Sequence, residues 1–330
     1  MQIYFNAVGA GLGPNGGSHT IVKSANALVD QGHDVSIVDS GRNQYNWTPL
    51  KADHIVPKNV ASLPKADVVI ATGFKTVAST LKIPAKLKVH WIRGWELWQM
   101  SEEQIVKKIL RVPTVKIVNS LGLHNKLHSY KVESHIIRPG NDFEDFFPID
   151  RKRDEGKIRF GGLYHTRHKT KRTDWIFEVV KNIRETFKDK EVIHLWMFGT
   201  GSGPPYPTVD RYFQLPDIQT KNMFYNKVTI WLAPSFLEGL HIVPQEVMLT
   251  ECPVVTTEAP LSGTKDYIQD MKTGLVSMND LDHFTTKIEP LIQFPDLRTF
   301  LGKRGRKKII ELGDRKTNMK KMTNLFEGLL

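Results

Sequence analysis

The sequence predicts an α/β protein of two domains, each built on a parallel β-sheet. Two observations lead to this fold class. The chain has 330 residues, which is more than one hydrophobic core usually organises. Short apolar segments also alternate with amphipathic helical patterns, and this order is typical of parallel sheets that are covered by helices on both faces.

The composition is that of an ordinary globular protein, with 40% hydrophobic and 25% charged residues. No apolar run in the sequence is long enough to span a membrane, and the first residues lack the basic region of a signal peptide. The single cysteine, Cys252, excludes an internal disulfide and a cysteine metal cluster. These features predict a cytoplasmic location.

The formal net charge is +11, with basic residues in excess in both halves of the chain. A surface of this kind favours anionic partners such as nucleotides, nucleic acid or acidic lipid headgroups. A solvated basic surface without a specific partner accounts for the charge equally well.

The first half of the chain alternates strand and helix patterns. Residues 3–8 have the pattern of a buried strand, and residues 19–32 that of a helix with its apolar side chains on one face. Gly32 is expected to end this helix. Further strands are predicted at 34–38, 67–71, 87–92, 115–119 and 135–138, with a short helix at 121–130.

Residues 139–156 are rich in Pro, Gly and charge, and we predict the interdomain linker there. A second alternating series follows. Its strands are predicted at 157–163, 192–198, 229–234, 253–257 and 274–278, and its helices at 174–187, 219–227, 243–251, 281–293 and over much of 296–328. We therefore expect two Rossmann-like domains, 1–148 and 149–330, that meet at a cleft, with the final helices packing back on the first domain.

A glycine-rich loop, G-A-G-L-G-P-N-G-G-S, occupies residues 9–18 after the first strand. Gly11, Gly13 and Gly16 match the spacing of a dinucleotide-binding fingerprint. Asp39 follows the second strand, where an acidic residue would bind a ribose. An NAD-dependent dehydrogenase is therefore one alternative.

The position of the loop argues against that fingerprint, because in the dinucleotide-binding fold the first glycine follows the strand directly. Here ten residues separate Val8 from His19. We instead expect Gly16 and Gly17 to let the backbone approach an anionic group, with donors from the N-terminus of the helix. A surface loop without a ligand is the other interpretation.

Two glutamates, Glu238 and Glu246, lie in the segment S-F-L-E-G-L-H-I-V-P-Q-E at 235–246. Glu238 follows a predicted strand, and Pro244 suits the first turn of the helix that carries Glu246. Such positions line ligand clefts in open α/β sheets. The two carboxylates can accept hydrogen bonds from several hydroxyl groups, and the N–H groups around Gly239 can face a phosphate. Helix capping and surface exposure are the alternative.

The whole string S-x-x-E-G-x-x-x-x-P-x-E, between two buried strands, resembles a motif of retaining glycosyltransferases of the GT-B fold, in glycosyltransferase family 4 or glycosyl transferases group 1. The segments R-P-G-N-D-F-E-D-F-F-P, C-P-V-V-T-T and T-G-L-V are similar to other patterns of this group. Gly16-Gly17-Ser18-His19 resembles its first-domain motif, with His19 in place of the usual glutamate. The resemblance covers nearly the whole chain and implies two Rossmann-like domains facing across a central cleft.

The resemblance also implies roles for individual residues. Glu246 would bind the ribose hydroxyls of a nucleotide, Glu238 would face the donor sugar, and Gly17 would lie against the diphosphate. The donor-binding residues expected on this basis are Gly16, Gly17, Gly239, Leu240 and Glu246.

A basic loop follows the first strand of the second domain in G-G-L-Y-H-T-R-H-K-T-K-R-T-D-W-I. By the resemblance, Arg167 and Lys171 bind the diphosphate, and Gly162 stands where the group usually has an arginine. Lys169 could replace either cation. Fixed cations would stabilise the charge that develops on a departing nucleoside diphosphate, so we expect Arg167, Lys171 and Glu238 to be catalytic. A solvated basic loop is the alternative.

The segment V-H-W-I-R-G-W-E-L-W at 89–98 combines aromatic and charged residues after a predicted strand. His90, Arg93 and Glu96 are candidates for contacts to the acceptor or the donor sugar, and the tryptophans could stack on a sugar or a base. The alternative places Trp91, Trp95 and His90 in the core.

Asp280 and Asp282 form a D-x-D sequence, but their position favours an N-cap over a metal site. The resemblance implies that catalysis requires no metal or other cofactor. The basic stretch G-K-R-G-R-K-K at 302–308 could meet nucleic acid or an acidic membrane surface, and a solvated helix face is the alternative.

The sequence thus predicts the retaining transfer of a sugar from a nucleotide-diphosphate donor to an acceptor hydroxyl. A polysaccharide or lipid-linked glycan at the inner membrane face is one expected acceptor, and modified DNA is another. A nucleotide-sugar or nucleic-acid binding module without turnover is the non-enzymatic alternative.

Overall fold

The computed structural model describes residues 1–41, 45–97, 100–149, 156–165, 169–187, 192–204 and 209–330. The chain divides into two compact units. The first contains Met1–Gly140 and Asp314–Leu330, and the second contains Asn141–Gly313. The sequence predicted the boundary at residues 148 and 149. The segment after Gly140 joins the second unit because Phe146 packs in its core and Asn226 Nδ2 donates to the carbonyl of Phe147 at 2.8 Å.

The first unit contains one sheet of seven parallel strands. Their bounds are β1 Gln2–Asn6, β2 Asp34–Val38, β3 Asp53–Ile55, β4 Ala66–Ala71, β5 Ala85–Ile92, β6 Val115–Val118 and β7 His135–Ile136. The strands are arranged in the order β3-β2-β1-β4-β5-β6-β7. The helices are α1 Gly16–Val29, α2 Val77–Thr80, α3 Glu102–Ile105, which continues as a π-helical turn over Val106–Leu110, and α4 Leu121–Ser129.

Helix α1 begins at Gly16 rather than at the predicted residue 19. The reason is an N-cap, since Asn15 has extended backbone angles and its side-chain oxygen accepts a hydrogen bond from Ser18 N at 3.0 Å. Gly16 and Gly17 are thus the first residues of the helix, where backbone N–H groups have no partner within the helix.

The second unit contains a second parallel sheet. Its strands are β8 Ile158–Leu163, β9 Ile193–Gly199, β10 Arg211–Gln214, β11 Ile230–Ala233, β12 Val254–Thr257 and β13 Leu275–Ser277, in the order β10-β9-β8-β11-β12-β13. The helices are α5 Thr173–Thr186, α6 Ile218–Lys227, α7 Ile242–Leu249, α8 Leu281–Gln293 and α9 Pro295–Glu311. None of the helices in the described part of the chain has the length and apolar character needed to cross a membrane.

The last helix, α10 at Arg315–Glu327, belongs to the first unit. Met319, Met322 and Phe326 are fully buried and pack into the core formed with α1 and the sheet. Gly140 allows the chain to come close to this helix, because a Cβ atom there would lie 2.6 Å from the backbone of Arg315. Helix α9, in contrast, stays with the second unit.

The packing of α10 can be tested through Phe326, whose side chain is 0% exposed. We expect Phe326→Ala to lower the free energy of unfolding by about 3–5 kcal/mol, because it removes buried apolar surface and leaves a cavity. Urea unfolding followed by tryptophan fluorescence measures this change. Asn324→Ala on the exposed face of the same helix is the control; equal losses in the two variants would contradict the burial of Phe326.

Candidate functional site

In the second unit, neighbouring parallel strands bring the predicted donor-binding segments together. The short 3₁₀ turn Lys169–Lys171 lies between β8 and α5, and the loop that carries Glu238 follows β11, which pairs with β8. The two segments are in direct contact, since Phe236 N donates to the carbonyl of Thr170 at 3.1 Å. The carboxyl ends of parallel strands share one edge of a sheet, and ligand sites form there.

Lys171 and Glu238 form an ion pair at this edge. Lys171 Nζ lies 2.5 Å from Glu238 Oε1, and the two side chains are 23% and 11% exposed. The backbone of Glu238 is also fixed, because its N–H donates to Leu261 O at 2.6 Å. Burial alone would raise the pKa of Glu238, but the charge of Lys171 and its hydrogen bond outweigh burial and hold that pKa below its ordinary value. Glu238 is therefore a carboxylate at neutral pH.

His241 also lies near Glu238 Oε1, the oxygen that Lys171 contacts. Its Nε2 is 3.6 Å from Glu238 Oε1, and its side chain is buried. Its backbone is held by two contacts, from its N–H to Gly263 O at 3.2 Å and from Tyr267 Oη to its carbonyl at 2.6 Å. Burial lowers the pKa of His241 to about 4, although Glu238 acts in the opposite direction, so the imidazole is neutral at pH 7.

The turn at Gly263 brings these groups close together. Gly263 has a φ of +73°, and a Cβ atom there would lie 2.8 Å from Glu238 Cβ and 2.7 Å from His241 N. Only glycine combines this backbone conformation with such a close approach. The loop from β12 thus supports both acid and imidazole.

Glu246 lies in the second turn of the short helix α7, with partners from α6. Lys221 Nζ and Tyr225 Oη each lie 2.8 Å from its Oε2 atom. Among the described residues, no hydrogen bond to the second oxygen, Oε1, is found. Burial raises the pKa of Tyr225 well above its ordinary value, and the neighbouring Glu246 carboxylate adds to this effect, so Tyr225 acts as a hydrogen-bond donor.

The other predicted residues of this unit differ in their surroundings. Gly239 lies in the loop before α7, and Leu240 is buried in the core. Gly162 faces the core in β8, because a Cβ atom there would lie 2.7 Å from Ile176 Cδ1. Arg167 lies outside the described residues.

In the first unit, the structure brings Gly17, Arg93 and Glu96 together at the carboxyl edge of the sheet. Arg93 Nη1 donates to Gly17 O at 2.5 Å, and its Nη2 and Nε donate to Thr72 O at 2.6 and 3.1 Å. Glu96 Oε2 accepts a hydrogen bond from Phe74 N at 3.2 Å. Both side chains therefore hold the backbone of neighbouring loops in place.

Burial perturbs the charges of this group. It lowers the pKa of Arg93 to about 10, against the effect of Glu96. It raises the pKa of Glu96, against the hydrogen bond from Phe74 N and the charge of Arg93. At neutral pH the guanidinium remains a cation that is fixed by backbone carbonyls.

His90 is fully buried beneath this edge. Neither ring nitrogen has a hydrogen-bond partner among the described residues, and the ring packs edge-on against Phe74 at 5.7 Å between centroids. Burial lowers the pKa of His90 to about 3, and Lys116 and Arg93 add to this effect. Trp91 and Trp95 are core residues, with 0% and 2% exposure.

Two acidic residues named in the alternative interpretations have structural partners. Asp39 is buried, accepts a hydrogen bond from Ser40 N at 2.7 Å and lies 3.4 Å from His54 Nε2. Asp280 caps α8, as predicted, with its Oδ1 accepting from His283 N at 2.8 Å. Within the described ranges, no three His, Cys, Asp or Glu side chains are grouped so that they could hold a metal ion.

Sequence reasoning missed three residues of the site, namely His241, Lys221 and Tyr225. His241 lies inside the motif that identified the two glutamates, so its position was a usable signal. Lys221 and Tyr225 are four residues apart and share one face of α6. Nothing in the sequence links that face to Glu246, because only the fold brings α6 beside α7.

Comparison with known proteins identifies similar chains. A family model for glycosyl transferases group 1 matches residues 157–293, which lie in the second unit. The capsular polysaccharide biosynthesis glycosyltransferase CapM of Staphylococcus aureus is 34% identical over 87 residues, which are 26% of this chain and 22% of CapM. The match thus spans about a fifth of that relative.

Solved structures resemble the chain over its whole length. Sucrose-phosphate synthase from Thermosynechococcus elongatus has a TM-score of 0.76 and 16% identity, covering 100% of this chain and 99% of that one. HepE from Anabaena, in complex with UDP and glucose, has a TM-score of 0.78 and 11% identity, covering 99% and 100%. The protein has the GT-B fold. The predicted resemblance to glycosyl transferases group 1 is confirmed over residues 157–293. In this GT-B protein the matched residues include Lys171, Glu238 and Glu246.

The buried neutral His90 of this GT-B protein should make folding sensitive to pH. Its folded pKa, about 3, lies below the ordinary value of 6.5, so the unfolded chain binds a proton that the folded chain does not. Stability is therefore lost as the pH falls below 6.5. We expect His90 to lower the free energy of unfolding by roughly 2 kcal/mol at pH 5 relative to pH 8.

Urea unfolding of the protein and of His90→Phe at the two pH values measures this contribution. The difference between pH 8 and pH 5 should shrink by about that amount in the variant. His241 acts in the same direction and should leave a residual dependence. The matched control is His135→Phe at an exposed position of β7; a pH dependence that is equal in the two variants would refute the assignment to His90.

Proposed function

We propose that the protein is a glycosyltransferase that moves a sugar from a nucleoside-diphosphate sugar to an acceptor hydroxyl, with retention of anomeric configuration. The observation that carries the proposal is the pair of glutamates at one sheet edge, each partnered by a lysine. Lys171 pairs with Glu238, and Lys221 pairs with Glu246. The match of residues 157–293 to glycosyl transferases group 1 supports it.

In this proposal Glu246 binds the ribose of the donor. Lys221 and Tyr225 both hold its Oε2 atom, which fixes the carboxylate and directs Oε1 toward other donors. A ribose offers two adjacent hydroxyl groups, and a fixed carboxylate can accept hydrogen bonds from both. That HepE was solved with UDP and glucose supports a uridine nucleotide as the first donor to test.

In the second unit, the diphosphate would be bound by cations. Lys171 supplies a cation at the sheet edge, and Arg167 is proposed as its partner. These cations would stabilise the charge that develops as the nucleoside diphosphate leaves. In the first unit, Gly16 and Gly17 are the first residues of α1, and we propose that they offer N–H groups and the positive end of a helix dipole to an anionic group.

For the transfer itself, Glu238 would face the donor sugar, and the loop at Gly239 and Leu240 would line that subsite. The leaving phosphate would accept the proton of the acceptor hydroxyl on the same face of the sugar. This arrangement needs no protein nucleophile and gives retention. Arg93 and Glu96 are proposed to shape the acceptor side, because they meet at the carboxyl edge of the first sheet, and the buried His90 is proposed to support that edge from the core.

We propose a saccharide as the acceptor. CapM, which is similar over part of the second unit, is described as a glycosyltransferase of capsular polysaccharide biosynthesis. Product analysis by mass spectrometry with mono- and oligosaccharide acceptors, lipid-linked glycans and modified DNA would separate the acceptor classes.

The donor site can be tested through Glu246. We expect UDP and a UDP-sugar to raise the melting temperature of the protein, since a ligand that binds only the folded state stabilises it. Glu246→Gln should weaken UDP binding by about 10- to 100-fold in calorimetric titration, because a neutral amide is a poorer acceptor for two ribose hydroxyls.

Glu178→Gln provides the matched control, because Glu178 is exposed on α5 and its substitution removes the same single negative charge. It should leave UDP affinity unchanged. If uridine, adenosine and guanosine diphosphates and their sugars all fail to shift the melting temperature, donor binding as described is wrong.

A further inference from the structure

Two anionic groups would compete for the ammonium group of Lys171, namely the Glu238 carboxylate and the diphosphate of the donor. Lys171 Nζ is 2.5 Å from Glu238 Oε1, and under the proposed function the same group contacts the donor diphosphate. A diphosphate that takes Lys171 draws it from Glu238, since both anions compete for one flexible cation. Glu238 would then be a largely buried carboxylate without its main partner, which is costly.

His241 is placed to compensate for that loss. Its Nε2 lies 3.6 Å from Glu238 Oε1, which is too long for a hydrogen bond but close enough to form one after a small movement. Backbone contacts hold both residues, from His241 N to Gly263 O and from Glu238 N to Leu261 O, so a change in side-chain torsion angles is enough to close this distance. The nearby carboxylate favours the tautomer with its proton on Nε2.

The surroundings offer Glu238 few other donors. The loop of Glu238 contributes Ser235, which supports the carboxylate as a weaker partner. The hydroxyl of Tyr267, from the segment after β12, donates its hydrogen bond to the carbonyl of His241. The imidazole of His241 also has no hydrogen bond at Nδ1 to any described residue. With the proton on Nε2, Nδ1 is an acceptor that no described residue occupies, so no described hydrogen bond of the ring competes with one from Nε2 to Glu238.

We propose that Glu238 exchanges its ion pair with Lys171 for a hydrogen bond from His241 when a nucleoside diphosphate binds, which makes His241 a positioning residue for Glu238. The inference rests on the proposed function. It adds that the carboxylate which faces the sugar also opposes diphosphate binding, because it holds the cation that the diphosphate needs.

The exchange predicts that removing a proposed catalytic acid tightens binding of the product nucleotide. In calorimetric titration with UDP, Glu238→Gln should lower Kd by about fivefold or more, because the neutral amide releases Lys171. Lys171→Met should raise Kd. In the Lys171→Met background, Glu238→Gln should change Kd by less than about twofold, because the competition has been removed.

The double-mutant cycle distinguishes the exchange of partners from a general electrostatic repulsion between Glu238 and the diphosphate. If Glu238→Gln tightens UDP binding equally with and without Lys171, the acid acts only through its negative charge, and the exchange is overturned. If the unmodified protein binds UDP and Glu238→Gln binds it no more tightly, the exchange also fails while the proposed function stands. Absence of binding to UDP, ADP and GDP by the unmodified protein would instead overturn both.

A second double-mutant cycle, of His241→Phe with Glu238→Gln, tests the role of His241. His241→Phe should weaken UDP binding by about threefold or more, since Glu238 then has no second partner, and should have no such effect in the Glu238→Gln background. His241→Gln, which keeps an N–H donor, should restore affinity. Equal weakening in both backgrounds would show that His241 only supports the loop, and melting temperatures of all variants identify those that fail to fold.

Discussion

Two carboxylates are largely withdrawn from water at one edge of the second sheet, and each must be compensated by a neighbouring cation. An unpaired buried charge costs several kcal/mol, so the fold has to supply partners. Glu238 receives Lys171 from the turn after β8, and Glu246 receives Lys221 from α6. This need for charge compensation brings together segments that are far apart in the sequence, and it fixes the positions of the side chains at this sheet edge. Under the proposed function, an anionic ligand would draw Lys171 from its pair with Glu238 at a cost in free energy.

The first unit meets a similar requirement by different means. Arg93 directs its guanidinium to the carbonyl oxygens of Thr72 and Gly17, and Glu96 accepts from a backbone N–H group. His90 avoids the cost of a buried charge by staying neutral. The polar groups of this unit therefore position the backbone around the N-terminus of α1, whereas those of the second unit form two lysine–glutamate ion pairs.

Periodicity predicted most of the strands and the longer helices, and α8 has the predicted bounds, 281–293. The short helices α2 and α3 were missed, because four residues are too few to show a helical period. The missed strands β3 and β10 are short strands at the sheet edges, where partial exposure weakens the apolar pattern. The start of α1 depends on one side chain, because Asn15 is the N-cap and starts the helix before the first apolar residues of the pattern. The motif predicted both glutamates, but not Lys221 and Tyr225, the partners of Glu246 on α6, because such contacts arise only in the folded chain.

Long-range and short-range electrostatics have separate roles in this protein. The net charge of +11 creates a field that attracts anions, and at physiological ionic strength it is screened over about 8 Å. At contact distance the cation Lys171 is already engaged with Glu238, so the local charge of the pair is near zero. Salt should therefore act on the approach of a diphosphate more than on the exchange at the site. If Lys171 exchanges partners as proposed, the approach would depend on the whole surface, whereas the final affinity would depend on the difference between Glu238 and the diphosphate as partners of Lys171.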